Sequence, residues 1–160
     1  MTSRRSAADK STPGRLAGID YGTVRIGIAV TDPEQRLASP FENYTRRGEA
    51  ADAAYFKRLA ADERIARFVV GLPIHLDGRE SQKSAEARKF GAWLEQTTGV
   101  PVVFFDERFT SAEAEHHLTA AKMTKKKRRA RLDKLAAQIL LAAYLESGER
   151  GRARPEGLDD

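Results

Sequence analysis

The stretch "LAGIDYGTVRIGIAVTD", Leu16–Asp32, constrains the chain most. Two apolar runs flank Tyr21–Val24 and read as paired strands with Gly22 in the turn between them. "DPEQ", Asp32–Gln35, is a second turn signal. "RLASPF" after it gives a third strand with Pro40 near its end. Three strands in hairpin succession should be antiparallel. The first ends in Asp20, a carboxylate closing a run that otherwise reads as buried.

Downstream the pattern changes to strands alternating with helices. "GEAADAAYFKRLAADERIA", Gly48–Ala66, puts Ala53, Phe56, Leu59 and Ala60 on one helical face. "RFVVGLP" reads as a buried strand stopped at Gly71-Leu72-Pro73. A helix is expected over about Arg79–Thr97, with Asp77 as its cap, Gly99 past its end, and Phe90, Trp93 and Leu94 as its apolar stripe. Trp93 and Phe90 are therefore read as core and not as base-stacking platforms. "VPVVFFDER" is another buried strand ending in acid, and "TSAE", Thr110–Glu113, is a capping-box pattern. The last helix is "RLDKLAAQILLAAYLE", expected to pack through Leu132, Leu135, Ala136, Ile139 and Ala143. Two strand–helix–strand crossovers should add two parallel strands. The expectation is an α/β fold: a mixed five-stranded sheet, three strands antiparallel and then two parallel, with helices on both faces.

The 160 residues suit one domain, expected over 16–147, between polar tails at 1–15 and 148–160. The absence of cysteine excludes disulfides and thiolate metal sites. No run reaches membrane-span length, and the first fifteen residues lack the apolar stretch of a secretory signal. The expected location is the cytoplasm, with no membrane partner.

Charge is concentrated. "KMTKKKRRAR", Lys122–Arg131, holds seven of the 28 Lys and Arg, leaving 21 against 23 acids elsewhere. Such a stretch on a near-neutral body suggests a polyanion contact, with Lys125, Lys126, Lys127, Arg128 and Arg129 as candidate phosphate ligands. A solvated helix start is the plainer alternative.

The acids carry the chemistry. In open α/β sheets ligands gather beyond the carboxyl ends of the strands. Asp20 ends the first strand, Asp106 and Glu107 end the last, and Asp133 opens the final helix beside the basic stretch. Converging carboxylates are costly unless a cation neutralises them. With hard oxygen donors, no cysteine and no convincing histidine spacing, Mg²⁺ or Mn²⁺ is the expected ion, in a pair that stabilises both oxygens of an in-line phosphodiester displacement. Taken singly, Asp20 is also compatible with turn chemistry, Asp133 with a helix-dipole acid, and an acid of the Asp-Glu-Arg run with a surface ion pair. Thr23 and Arg25 in the turn, and Arg108 after the last strand, are candidate phosphate contacts, each with a structural alternative.

In order along the chain, "GIDYGTVRIGIAVTD", "FVVGLPIHLDGRESQKSAEARKFGAWL", "VVFFDERFTSAEAE" and "KKKRRARLDKLAAQILLAAYL" resemble the motifs of the YqgF/RuvX family, over about Leu16–Leu145. That family comprises pre-16S rRNA nucleases also described as Holliday-junction-resolvase-like. The resemblance implies a ribonuclease H-like fold, two-metal phosphodiester hydrolysis and maturation of the 5′ end of 16S rRNA. It places the first catalytic acid on Asp20, the strand-end acid on the Asp106–Glu107 pair and the helix acid on Asp133. Strand alternation points only one of that pair into a site, and Glu107 is favoured. Asp20, Glu107 and Asp133 are then the expected metal ligands. Related resolvases carry an acid where this chain has Gly71-Leu72-Pro73. His75 stands where the family more often has Asn, and His116 and His117 receive no role.

Pre-16S rRNA, alone or on a pre-ribosomal small subunit, is the expected partner, acted on by a monomer or homodimer. The alternatives are a resolvase of branched DNA, which would act as a dimer, and a non-catalytic nucleic-acid-binding assembly factor. A phosphate-binding kinase shares the opening turn but needs two such domains.

Overall fold

A computed structural model describes residues 14–110 and 135–147 of the chain. Its elements are β1 (Arg15–Asp20), β2 (Arg25–Thr31), β3 (Ala38–Thr45), α1 (Glu49–Asp62), β4 (Ile65–Leu72), α2 (Gln82–Thr98) and β5 (Val102–Asp106). One 3-10 turn, Glu107–Phe109, follows β5, and α3 covers residues 135–147.

The sheet order is β3-β2-β1-β4-β5. β1–β2 and β2–β3 pair antiparallel, whereas β1–β4 and β4–β5 pair parallel. This is the mixed five-stranded arrangement that the hairpin and crossover signals imply. Strand alternation divides the core in two. Ala17, Ile19, Ile28, Phe68 and Val70 face α1 and α2, meeting Phe56, Leu59, Phe90 and Leu94. Leu16, Ala29 and Val69 face the other way, against Ala137 and Leu141 of α3.

Several boundaries differ from those the sequence suggests. β1 already begins at Arg15, a residue assigned to the tail. β3 runs on to Thr45, so Pro40 lies inside it rather than near its end. Proline is tolerated there because β3 is an edge strand and its register shifts between Ile28 and Ala29 of β2, the latter opposite Pro40. α1 stops at Asp62. Arg64, at φ 53°, turns the chain into β4, which starts at Ile65.

α2 starts later than expected, because Ser81 and not Asp77 caps it. Ser81 Oγ accepts from Ser84 N–H at 2.9 Å, and Ser84 Oγ accepts from Ser81 N–H at 2.8 Å. Asp77 instead closes its own loop, accepting from Arg79 N–H and from Arg79 Nε. Gly99, at φ 77°, ends α2 as its position suggests.

The packed face of α3 is also shifted. Ala137, Leu140 and Leu141 are its buried residues, while Leu135, Ala136, Ile139 and Ala143 are half-buried. Leu132 lies outside the described residues. Gly18 sets this phase: a Cβ there would stand 2.9 Å from Leu141 Cβ and 3.0 Å from the Ala137 carbonyl. The helix therefore settles on the bare backbone of β1.

Candidate functional site

The carboxyl ends of β1, β4 and β5 meet at one edge of the sheet. Ile19 pairs with Val70, and Gly71 with Phe105. Alternation then carries Asp20, Gly71 and Glu107 onto the α3 side at successive strand ends. They line one cleft of about 380 Å³, with Gly22, Thr23 and Arg25 from the β1–β2 turn on one wall. Lys83 and Glu86 of α2 form the other wall.

The two acids after β5 part ways. Asp106 caps the 3-10 turn, accepting from Arg108 N–H at 2.9 Å and from Arg108 Nε at 2.8 Å. That guanidinium holds its carboxyl below the ordinary range. Arg108 also donates to the Leu76 carbonyl at 3.2 Å, tying the loop after β4 to the end of β5. Both side chains are thus engaged with each other rather than lining the cleft.

Glu107 turns inward over Gly71. A Cβ at residue 71 would lie against Glu107 Oε2 and within 3.0 Å of its Cγ and 3.1 Å of its Cδ. The missing side chain at Gly71 is therefore the space Glu107 uses. Burial pushes the Glu107 carboxyl up, the neighbouring Asp106 adds to this, and Lys83 opposes it. A buried carboxylate driven toward its neutral form is what a bound cation reverses. Asp20 and Glu107 together offer the hard oxygen donors that suit Mg²⁺ or Mn²⁺. Among the described residues, no group of three or more metal-ligating side chains comes together. Asp133 lies outside the described residues, as do the basic stretch with Lys125, Lys126, Lys127, Arg128 and Arg129, the helix expected after Thr110, and His116 and His117.

Gly22 is required by the turn itself, since a Cβ there would collide with the Arg25 carbonyl. Tyr21 is anchored from below. Buried Asp52 accepts from Tyr44 Oη at 2.6 Å, from Arg47 N–H at 2.9 Å and from Arg46 Nε at 3.2 Å. Arg46 in turn donates to Tyr21 Oη at 2.9 Å. His75 is exposed in the loop after Pro73 and does not line the cleft.

Lys83 and Glu86 are cleft residues that sequence reasoning passes over. Ser81 was the available signal. Its hydroxyl caps α2 and donates to the Pro73 carbonyl at 2.7 Å, so the first turn of the helix is pinned beside the end of β4.

The model of the RuvX family, described as Holliday junction resolvase, matches residues 14–147. The chain belongs to this family. A Rhodopirellula baltica relative is 50% identical over all of this chain and 94% of its own length. A Koribacter versatilis relative is 41% identical over 91% of this chain and 94% of its own. Both carry the name "Putative pre-16S rRNA nuclease". Among solved structures, Thermus thermophilus RuvC in complex with a Holliday junction substrate superposes with a TM-score of 0.53. That similarity spans 84% of this chain and 96% of RuvC at 17% identity, and shows a shared fold. Among the described residues no helix is long and apolar enough to cross a membrane.

Proposed function

We propose that this RuvX-family chain is a divalent-metal-dependent nuclease that trims the 5′ end of pre-16S rRNA in the cytoplasm, on the RNA or on the assembling small subunit. The observation that carries the reading is the placement of Asp20 and Glu107 in one cleft across a bare Gly71. The relatives named above supply the RNA substrate class.

In this reading Asp20 and Glu107 hold the metal, with Asp133 as the third acid. A divalent pair there supplies Lewis-acid stabilisation of the attacking and leaving oxygens. Lys83, Thr23 and Arg25 sit on the cleft walls, where they can bind the oxygens of the scissile phosphate. Lys125–Arg129 hold the flanking backbone. Asp106 and Arg108 position Glu107 by fixing the turn that carries it.

Incubation of a 5′-extended 16S precursor and a four-way DNA junction with Mg²⁺ or Mn²⁺ tests this. The wild-type chain should cut the RNA and Asp20→Asn should not. Preferential cutting of the junction would favour a resolvase. Binding of both without cutting would favour an assembly factor.

A further inference from the structure

A second hollow of about 290 Å³ lies beside the acid cleft, with Tyr21 and Glu86 lining both. Its floor is aromatic: Tyr21 and Phe90 lie 4.8 Å apart between ring centroids, and Phe90 and Trp93 5.4 Å. The Arg46 guanidinium stands 5.4 Å from the Tyr21 ring centre and 5.8 Å from that of Phe90. Its Nε is held by Asp52 and its Nη1 by Tyr21 Oη, so this charged plane is fixed in place. Lys89 and Glu49 complete the rim.

This lining does not suit a phosphate, because Glu49 and Glu86 face the same space as Arg46 and Lys89. It does suit a flat, neutral, aromatic group with donors and acceptors on its edge. Trp93, half-buried, and the fixed guanidinium offer stacking surfaces, and the rim offers both hydrogen-bond senses. Adjacency to the cleft, across Tyr21 and Glu86, supplies the occupant. The geometry points to a subsite for one unpaired nucleobase of the substrate strand, seated against Arg46 and Trp93 beside the cleft that Asp20 and Glu107 line. The inference rests on the nuclease reading and adds to it a single-stranded requirement on the α2 side of the cut. A base still paired in a duplex cannot present its face and edge to this hollow.

Trp93 is the chain's one tryptophan, so its fluorescence reports this hollow alone. The full Asp20→Asn chain, which should leave RNA intact, is titrated with fluorescein-labelled single-stranded RNA in Mg²⁺. Anisotropy reads binding and Trp93 emission reads stacking. Single-stranded RNA should quench Trp93 saturably, and the matching duplex should not. Moving one abasic residue along the RNA should find a position that abolishes the quench and weakens binding about ten-fold, the scale of one base stack. Binding without quenching, equal quenching by the duplex, or quenching indifferent to every abasic position would overturn the subsite and leave the nuclease reading standing. Failure of any strand to bind would overturn both.

Discussion

Replacing Gly71 by Ala puts the site's geometry to a sharp test. The new methyl would stand 3.0 Å from Glu107 Cγ and 3.1 Å from Cδ, against a carbon–carbon contact optimum of about 3.5–4.0 Å. Something must move by roughly 0.5–1 Å. Gly71 is fixed in the ladder opposite Phe105, whereas Glu107 has free torsions, so the glutamate side chain gives way. Displacement of a reacting group by about 1 Å costs on the order of 100-fold in rate. Stability should fall by less than the roughly 1–3 kcal/mol of a rigid overpacked core, because the displaced group can rotate toward the cleft. Single-turnover cleavage and thermal melting of Gly71→Ala, Glu107→Ala and the double variant measure this. Removing Glu107 should also remove the cost of Gly71→Ala, a coupling between contacting residues. Wild-type cleavage by Gly71→Ala, or equal destabilisation with and without Glu107, would refute the reasoning.

Glu107→Gln should abolish cleavage yet raise the melting temperature of the metal-free chain at neutral pH. Its folded carboxyl titrates above the ordinary value, so stability present below that value is lost as pH rises through the raised one, and the amide removes this loss. Asp52 behaves oppositely. Burial raises its pKa, but hydrogen bonds from Tyr44, Arg47 and Arg46 outweigh that and hold it below its ordinary 3.8. Its contribution is therefore complete above about pH 4 and is lost as pH falls through the lowered value, which acid titration of stability in wild type and Asp52→Asn will show. Asp52→Ala leaves a buried phenol and guanidinium without their acceptor and should cost about 3 kcal/mol in urea unfolding. Lys126→Glu with Arg128→Glu should weaken RNA binding and flatten its salt dependence by about 0.7 for each phosphate no longer neutralised, read from filter binding across a salt series.

The sheet was legible because its signals are local. Gly22 and Asp32–Gln35 mark turns, and the apolar runs of β4 and β5 are short and bounded. The position of Asp20 followed from strand order alone. What escaped depends on contacts between distant residues. The phase of α3 is set by Gly18, more than a hundred residues away, and no helical periodicity encodes that. The start of α2 went to Ser81 over Asp77 because Ser84 could reciprocate the cap and Pro73 could accept its hydroxyl. Strand alternation separated Asp106 from Glu107, but the reason Glu107 fits, the missing side chain at Gly71, needed the β4–β5 register. Helical spacing with Leu94 marks Phe90 and Trp93 alike as core, yet only Phe90 is buried and Trp93 is half so, because its outer face borders the hollow beside Tyr21.

Calorimetric titration of Mn²⁺ into wild type, Asp20→Asn, Glu107→Gln and their double variant tests the central claim most directly, since it needs no substrate. The account predicts saturable binding by wild type, at least ten-fold weaker binding by each single variant and none by the double. Unchanged Mn²⁺ affinity in the double variant, with the fold intact by circular dichroism, would contradict it.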